Sequence, residues 1–479
     1  MKVLIISANR ELVPDPVFPL GAAYVAAAVR DAGHQVKILD ALVHDNPEAA
    51  VKQAVSDFSP DVVGVSIRNV DNVAYPIVIT YADDHKGLVD AARSVFSGPV
   101  VLGGSGFTIL AEELLDHTGA ELGIMGEGEE AMLTFLDAYA DGEDIAGVPG
   151  LIHRKDGTTL VKNPPRTIGD IESVSNPARE MLDSRMYQKW GGMVGVQTKR
   201  GCPLGCVYCT YPVVEGKVVR TRDPEAVARE MAESYHLWGT DTFFIVDNVF
   251  NNPPDHAVAV AGAIEALDLP LSFSAYLNPG FVTGELMSAM KAAGCTGIDY
   301  GVDSLSDDVL KRLGKNFTAA DVRRAVRLTK EAGIRTCLSM IFGAPGETMD
   351  SLRDGVHILE EMEPTAVLAL VGVRVYPNTK MYDIARKARV LPDDWNGLTP
   401  FFYIDPAVAD DVIGFIAETA LRHPDWLFPG HMIMGGRQLM PEEKPERYDS
   451  GPLAEFRKRG VKGNLWEMFD IMKAMKSRQ

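Results

Sequence analysis

Three of the chain's five cysteines fall within eight residues, in the segment VGVQTKRGCPLGCVYCTYP, spaced Cys202-x3-Cys206-x2-Cys209. Thiolates at this density on one loop are the usual ligands of iron–sulfur clusters. Gly201 and Gly205 let such a loop turn tightly around a bulky group, and Pro203 stiffens the turn. A cubane has four irons and the loop offers three thiolates. One iron is left with an open coordination position, the feature that separates a catalytic metal from a structural one. The competing reading is a zinc site with a distant fourth ligand. Zinc sites pair Cys-x2-Cys with a second such pair or with histidines, and the sequence shows neither pattern. Cys295 and Cys337 fall in a predicted helix end and a predicted strand and read as small buried apolar residues. Three clustered thiols out of five make a poor disulfide framework and suit a reducing compartment.

Other residues with chemical potential stand at predicted strand ends: Asp247 and Asn248; Asp303 and Ser304; Phe342–Thr348 (FGAPGET); and Tyr376–Thr379. Acidic and hydroxyl groups there can bond ribose hydroxyls or an amine; the bland alternative for each is a helix cap. Gly103 and Gly104 precede a helix, and Gly126, Glu127 and Gly128 begin the run GEGEE at the next strand end. Glycines at such ends let a backbone approach a flat or phosphorylated ligand, although neither run is the G-x-G-x-x-G dinucleotide fingerprint. His236, His256 and His423 have no partners visible in the sequence, so no general base is assigned.

These residues need a scaffold that brings strand ends together. In residues 1–140, apolar runs at Val3–Ile6, Val36–Leu39, Val62–Ile67, Val100–Leu102 and Leu122–Met125 alternate with helical patterns. That alternation predicts a doubly wound, Rossmann-like parallel sheet whose ligands bind beyond the carboxyl ends of its strands. Residues 141–193 read as a linker with a β-hairpin turning at Asp156-Gly157. In residues 194–384, strands are predicted at Val194–Thr198, Thr242–Val246, Leu271–Leu277, Gly297–Val302, Arg335–Ile341 and Ala366–Val373. Six βα units predict a partial (β/α)6 barrel with its active face at the strands' carboxyl ends. Residues 385–479 read as mainly helical, with an amphipathic, locally basic stretch at Pro452–Met475.

The cysteine segment, with the aromatic Tyr208 just before its third cysteine, resembles the signature of the radical S-adenosylmethionine (SAM) superfamily. The resemblance implies a 4Fe-4S cluster on Cys202, Cys206 and Cys209 whose open iron is chelated by SAM. It also implies that Tyr208 packs near the adenine, and that an electron from the cluster yields a 5′-deoxyadenosyl radical. Phe18–His34 (FPLGAAYVAAAVRDAGH), the Gly-Gly pair and the GEGEE run together resemble the cobalamin (B12)-binding domain of the B12-dependent class of that superfamily. The resemblance covers about residues 1–380. The Asp-x-His-x-x-Gly motif that supplies a lower cobalt ligand in the wider B12 family is absent, since the first strand runs into SANRELVPDP. On this resemblance the loop Ser66–Pro76 (SIRNVDNVAYP) lies beside the corrin, with Arg68 near the lower face of cobalt and Asn69 beside it. The alternative is an Arg68 paired with Asp71 or a corrin amide.

The function that the resemblance implies is that of a cobalamin-dependent radical SAM methyltransferase. Such an enzyme would methylate an unactivated carbon of a small-molecule or peptide substrate through methylcobalamin and a substrate radical. A low-potential electron donor of the flavodoxin or ferredoxin type is implied. Alternatives are a B12-dependent cyclase or rearrangement enzyme, a B12-free radical enzyme, and, from another class, a non-catalytic corrinoid or electron carrier. The net charge of −19, from 47 basic and 66 acidic residues, argues against a general nucleic-acid or anionic-membrane binder. No run reaches the roughly 18 apolar residues of a membrane span, and the expected location is the cytoplasm.

Overall fold

The computed structural model describes residues 1–11, 16–155, 157–190 and 192–438, and beyond them Asn464, Trp466 and Phe469. All eleven predicted strands are present. The first five are β1 (Lys2–Ser7), β2 (Gln35–Asp40), β3 (Val62–Ser66), β4 (Val100–Gly103) and β5 (Leu122–Ile124). They form a parallel sheet in the order β2-β1-β3-β4-β5. Val3, Ile5, Val62 and Val101 of this sheet pack with the helices Leu20–Asp31 and Gly128–Asp141. Leu4, Ile6, Val63 and Leu102 pack on its other face with Pro47–Phe58, Ala82–Arg93 and Ala111–Thr118. Burial on both faces is why these strands read as continuous apolar runs.

The hairpin predicted in 141–193 is β6 (Leu151–Lys155) and β7 (Thr159–Lys162). It pairs antiparallel along β5 and so extends the first sheet rather than hanging between domains.

The second body starts at β8 (Val194–Val196). Next, β9 (Lys199–Arg200) pairs antiparallel with β10 (Arg220–Thr221), closing the base of the loop that carries the three cysteines. Then come β11 (Thr242–Ile245), β12 (Ser272–Leu277), β13 (Cys295–Asp303), β14 (Arg335–Phe342) and β15 (Ala366–Val371). β8, β11, β12, β13, β14 and β15 are parallel neighbours in that order, the predicted six-stranded partial barrel.

The C-terminal region departs from the mainly helical expectation. It holds one long helix, Val412–Arg422, among the described residues, but also strands. β16 (Val373–Arg374) pairs with β17 (Phe402–Tyr403). β18 (Trp426–Phe428) adds to β15 as a seventh parallel strand, followed antiparallel by β19 (Ile433–Met434) and β20 (Arg437–Gln438). Trp426, Leu427 and Phe428 are an apolar run bounded by Asp425 and Pro429, long enough for a strand and too short for a helix. Of the amphipathic stretch Pro452–Met475, only Asn464, Trp466 and Phe469 are among the described residues, and all three are buried. No described helix is long and apolar enough to cross a membrane.

Candidate active site between the two domains

The cysteine loop is fixed by its backbone, which leaves the thiols to a ligand. At its root, Asp247 accepts hydrogen bonds from Thr198 N (2.8 Å), Thr198 Oγ1 (2.5 Å) and Lys199 N (3.3 Å). Gly201 has φ +89°, and a Cβ there would fall 2.1 Å from Val218 O, so only glycine turns this corner. Cys202 N donates to Gly216 O at 3.1 Å. At the far end Val207 N donates to Leu313 O (3.0 Å), and Val207 O accepts from Met381 N (2.8 Å). Gly314, at φ +74°, lies so close that a Cβ would meet Gly205 O at 2.5 Å. The three thiols are free. Burial pushes the Cys206 thiol up and that of Cys209 up to about 12, so thiolates on this loop require a positive group to balance them. An iron–sulfur cluster would supply that charge, and three thiols on one loop, Cys202 buried and Cys206 and Cys209 half-buried, are the type of donor set it takes.

Beside the loop is a cation that the sequence reading missed. Lys315 Nζ lies 2.6 Å from Asp303 Oδ2 and 3.0 Å from the Tyr208 hydroxyl, and it donates to Gly301 O at 3.1 Å. The Tyr208 hydroxyl also donates to Asp303 Oδ2. Lys315 and Asp303 are both buried, and the negative Asp303 carboxylate holds the lysine charged against the cost of burial. Asp303 has φ +68°, a left-handed backbone that costs a non-glycine residue energy and recurs at functional sites. Its carboxylate serves Tyr208 and Lys315, not a helix end: Ser306 precedes the helix Asp307–Arg312. Ser304 Oγ accepts from Ser306 N at 3.2 Å, a local turn rather than the helix cap that the sequence offered. Asp247, which the sequence offers as a ligand contact or a helix cap, turns its carboxylate to the root of the cysteine loop. The signal for Lys315 was Gly314, which ends the preceding helix and delivers the lysine to the site.

A cavity of about 1110 Å³ runs between the two domains and into the barrel. The first domain lines it with Arg68, Asn69, Gly103, Gly104, Gly126, Glu127 and Gly128, so the sequence-predicted residues of that domain do converge. The barrel lines it with Thr210 and Tyr211, directly after the third cysteine, and with Tyr276. Arg68 donates to Asn69 Oδ1 at 2.8 Å, and the charge of its guanidinium reaches the Tyr211 and Tyr276 hydroxyls. The alternative partner, Asp71, is taken: Arg374 of the barrel binds it through Nε and Nη2, both at 2.9 Å. His85 Nε2 lies 2.8 Å from Asn69 O and props that loop from behind.

The glycines serve partly another purpose than expected. At Gly104, φ +97°, a Cβ would fall 2.5 Å from Ile67 O; at Gly106 it would fall 2.7 Å from Arg68 O. They let the next strand end press against the Arg68 loop. At Gly126 and Gly128 a Cβ would crowd Pro165 and Val25. Glu127 also has a structural part: it pairs with Arg220 at 2.8 Å and Arg200 at 3.5 Å and accepts from Ile168 N at 2.6 Å. Asn9 lines the cavity with a buried Nδ2 that has no protein partner, a donor suited to the amide carbonyls around a corrin ring.

Residues 196–359 match the model of the Radical SAM superfamily, and residues 7–136 match that of the B12 binding domain. The chain carries a B12 binding domain followed by a radical SAM domain. The B12-binding domain is thus the first sheet with its helices, and the radical SAM domain begins at β8. The chain is similar to an uncharacterized methyltransferase of Pyrococcus horikoshii, at 26% identity over 415 residues, covering 85% of this chain and 88% of the relative. It is also similar to tryptophan 2-C-methyltransferase of Streptomyces laurentii, at 26% over 434 residues, covering 77% and 72%. Its fold matches TsrM from Kitasatospora setae, a radical SAM methyltransferase solved with cobalamin and a 4Fe-4S cluster bound. The TM-score is 0.83 at 24% identity, over 100% of this chain and 99% of that one.

Proposed function

We propose that this B12-binding radical SAM enzyme is a methyltransferase acting on an unactivated carbon, or a similar centre, of a small molecule or peptide. One observation carries the reading: a single cavity is lined both by the strand-end residues of the B12-binding domain and by Thr210 and Tyr211 of the cysteine loop. Direct group transfer between two cofactors needs such a shared, water-poor space. When bound, the cluster with SAM supplies radical chemistry and cobalamin supplies a transferable methyl group.

The chain's own residues do the rest. Cys202, Cys206 and Cys209 hold the cluster, and Tyr208, fixed by Asp303 and Lys315, shapes the SAM side of the loop. Arg68, Asn69, Gly103, Gly104, Gly126 and Gly128, which line the cavity, are the residues of the first domain that would hold cobalamin. Where cobalamin binds, Arg68 would offer a cation that does not coordinate metal, because a guanidinium has no lone pair to offer. The Asp71–Arg374 pair fixes the Arg68 loop against the barrel. A low-potential donor of the flavodoxin or ferredoxin type delivers the electron, and five cysteines outside any disulfide suit the reducing cytoplasm.

The test is a single-turnover assay of the anaerobic holoenzyme with SAM and a chemical reductant. A radical methyltransferase releases both 5′-deoxyadenosine and S-adenosylhomocysteine. A cyclase or B12-free enzyme releases only the first, and a carrier releases neither.

A further inference from the structure

The cavity continues past the level of the cysteine loop. Ala366 and Leu370, the first and fifth residues of β15, both line it. At the usual rise of a strand it therefore follows β15 for about 13 Å toward the amino end of the barrel. Side chains ordinarily fill the interior of such a barrel layer by layer. Here that filling is incomplete, and a distant part of the chain closes the lower end. Asn464, Trp466 and Phe469 line the cavity and are 7%, 6% and 1% exposed. The Trp466 ring takes the space that Gly297, the third residue of β13, leaves by having no side chain: a Cβ there would lie 2.2 Å from the ring.

This floor is chemically unfinished. Asn464 Nδ2 and Trp466 Nε1 are buried, and neither has a hydrogen-bond partner among the described residues. Both atoms are donors only. A buried donor without an acceptor carries its full desolvation cost, so each such atom calls for an explanation. The barrel part of the cavity offers them little: Ala366, Leu368, Leu427 and Met434 give it apolar wall. The cations that line the cavity are Arg68 and Arg200. Arg68 stands on a strand-end loop of the first domain, and Arg200 is bound to Glu129 of that domain, so both belong to the opposite end.

We infer that Asn464 and Trp466 are specificity-determining residues, the floor of a substrate chamber that takes an apolar molecule ending in a neutral carbonyl oxygen. The inference rests on the methyltransferase reading for where the substrate enters, and it adds how the far end of that substrate is held. A carbonyl oxygen, with lone pairs and no charge, completes N–H donors in an apolar surround. A carboxylate would bring a buried charge to a floor that offers it no lining cation. An ammonium group would set donors against donors.

The test uses the anaerobic holoenzyme and three straight-chain probes, 2-octanone, octanoate and octylamine, with binding read by saturation-transfer NMR. The ketone is expected to bind at least fivefold more tightly than either charged probe. Octanoate binding as tightly as the ketone overturns the neutral class, and binding of none of the three overturns the chamber. Trp466→Phe keeps a ring and loses the N–H; Asn464→Leu keeps the bulk and loses the amide. Each should weaken the ketone at least threefold and leave octylamine unchanged, with cluster and cobalamin absorbance checked in each. Unchanged ketone binding in both variants, or equal weakening of all three probes, overturns the role of the two donors. Because binding is read without turnover, its failure is distinct from a failure to release the two SAM-derived products.

Discussion

The Arg200 guanidinium lies 2.6 Å from the Glu129 carboxylate, and both side chains are buried where the two domains meet. Arg200 opens the cysteine loop as part of β9, and its cross-strand neighbour Arg220 pairs with Glu127. Two arginines at the base of the loop are therefore plugged into two glutamates of the B12-binding domain. The docking of that domain and the shape of the cluster loop are one structural unit.

Removing one partner of such a buried pair leaves an uncompensated charge, at about 3–5 kcal/mol. Glu129→Gln is therefore expected to lower the thermal midpoint and, because Arg200 keeps only its longer 3.5 Å pair with Glu127, to lower iron retained per chain. Iron analysis after anaerobic reconstitution reads this. Destabilisation with full iron content would show that the pair holds the domains but not the loop.

Gly104→Ala should act on cobalamin. The added Cβ would sit 2.5 Å from Ile67 O, at a residue whose φ of +97° already disfavours a side chain. The Ile67–Arg68 backbone must retreat, and the corrin loses one wall. A tenfold or greater weakening of cobalamin binding is expected, with cluster content unchanged. Gly142→Ala serves as the control, because its φ is also positive (+67°) but no atom lies within 4 Å of the added carbon.

The strands were legible because their apolar runs are bounded by Gly, Asp and Pro, and the cysteine loop because its spacing is local. What escaped the sequence was pairing over distance. Glu127 looked like a ligand residue because it follows a glycine at a strand end, yet its partners, Arg200 and Arg220, lie more than seventy residues away, where no periodicity points to them. Asp247 looked the same, and only the parallel register of β8 and β11 reveals Thr198 as its neighbour. The three-residue β18 and two-residue β17 are too short to show a period at all.

Glu347, in the FGAPGET turn, predicts a pH dependence. Gly343 N (2.7 Å) and Ala344 N (3.1 Å) both donate to Glu347 Oε2, but burial dominates and pushes the carboxyl up to about 7 from its ordinary 4.5. The folded state thus binds this proton more tightly than the unfolded chain. Its contribution to stability is full below about pH 4.5 and is lost as the pH rises toward 7. Glu347→Gln keeps an oxygen for both N–H groups and carries no charge. Its urea midpoint should fall less than that of the wild type between pH 5 and pH 8. A variant with the wild-type slope would assign the dependence to another group.

Arg68 offers the sharpest test of the cobalamin assignment. Its side chain is exposed and lines the cavity, and its one hydrogen bond among those described goes to the adjacent Asn69. Glycines behind it and the Asp71–Arg374 pair ahead of it leave the loop little freedom. A residue held beneath cobalt but unable to coordinate should leave the metal without a protein ligand. Arg68→His puts a nitrogen donor in that place. The variant's reduced cobalt(II) state should then show nitrogen hyperfine splitting in its paramagnetic resonance spectrum, absent from the wild type, and methyl transfer should slow at least tenfold. Arg68→Lys, which stays cationic, should keep the wild-type spectrum. If Arg68→His is also spectroscopically unchanged, Arg68 does not lie under cobalt, and the corrin must enter the cavity in another orientation.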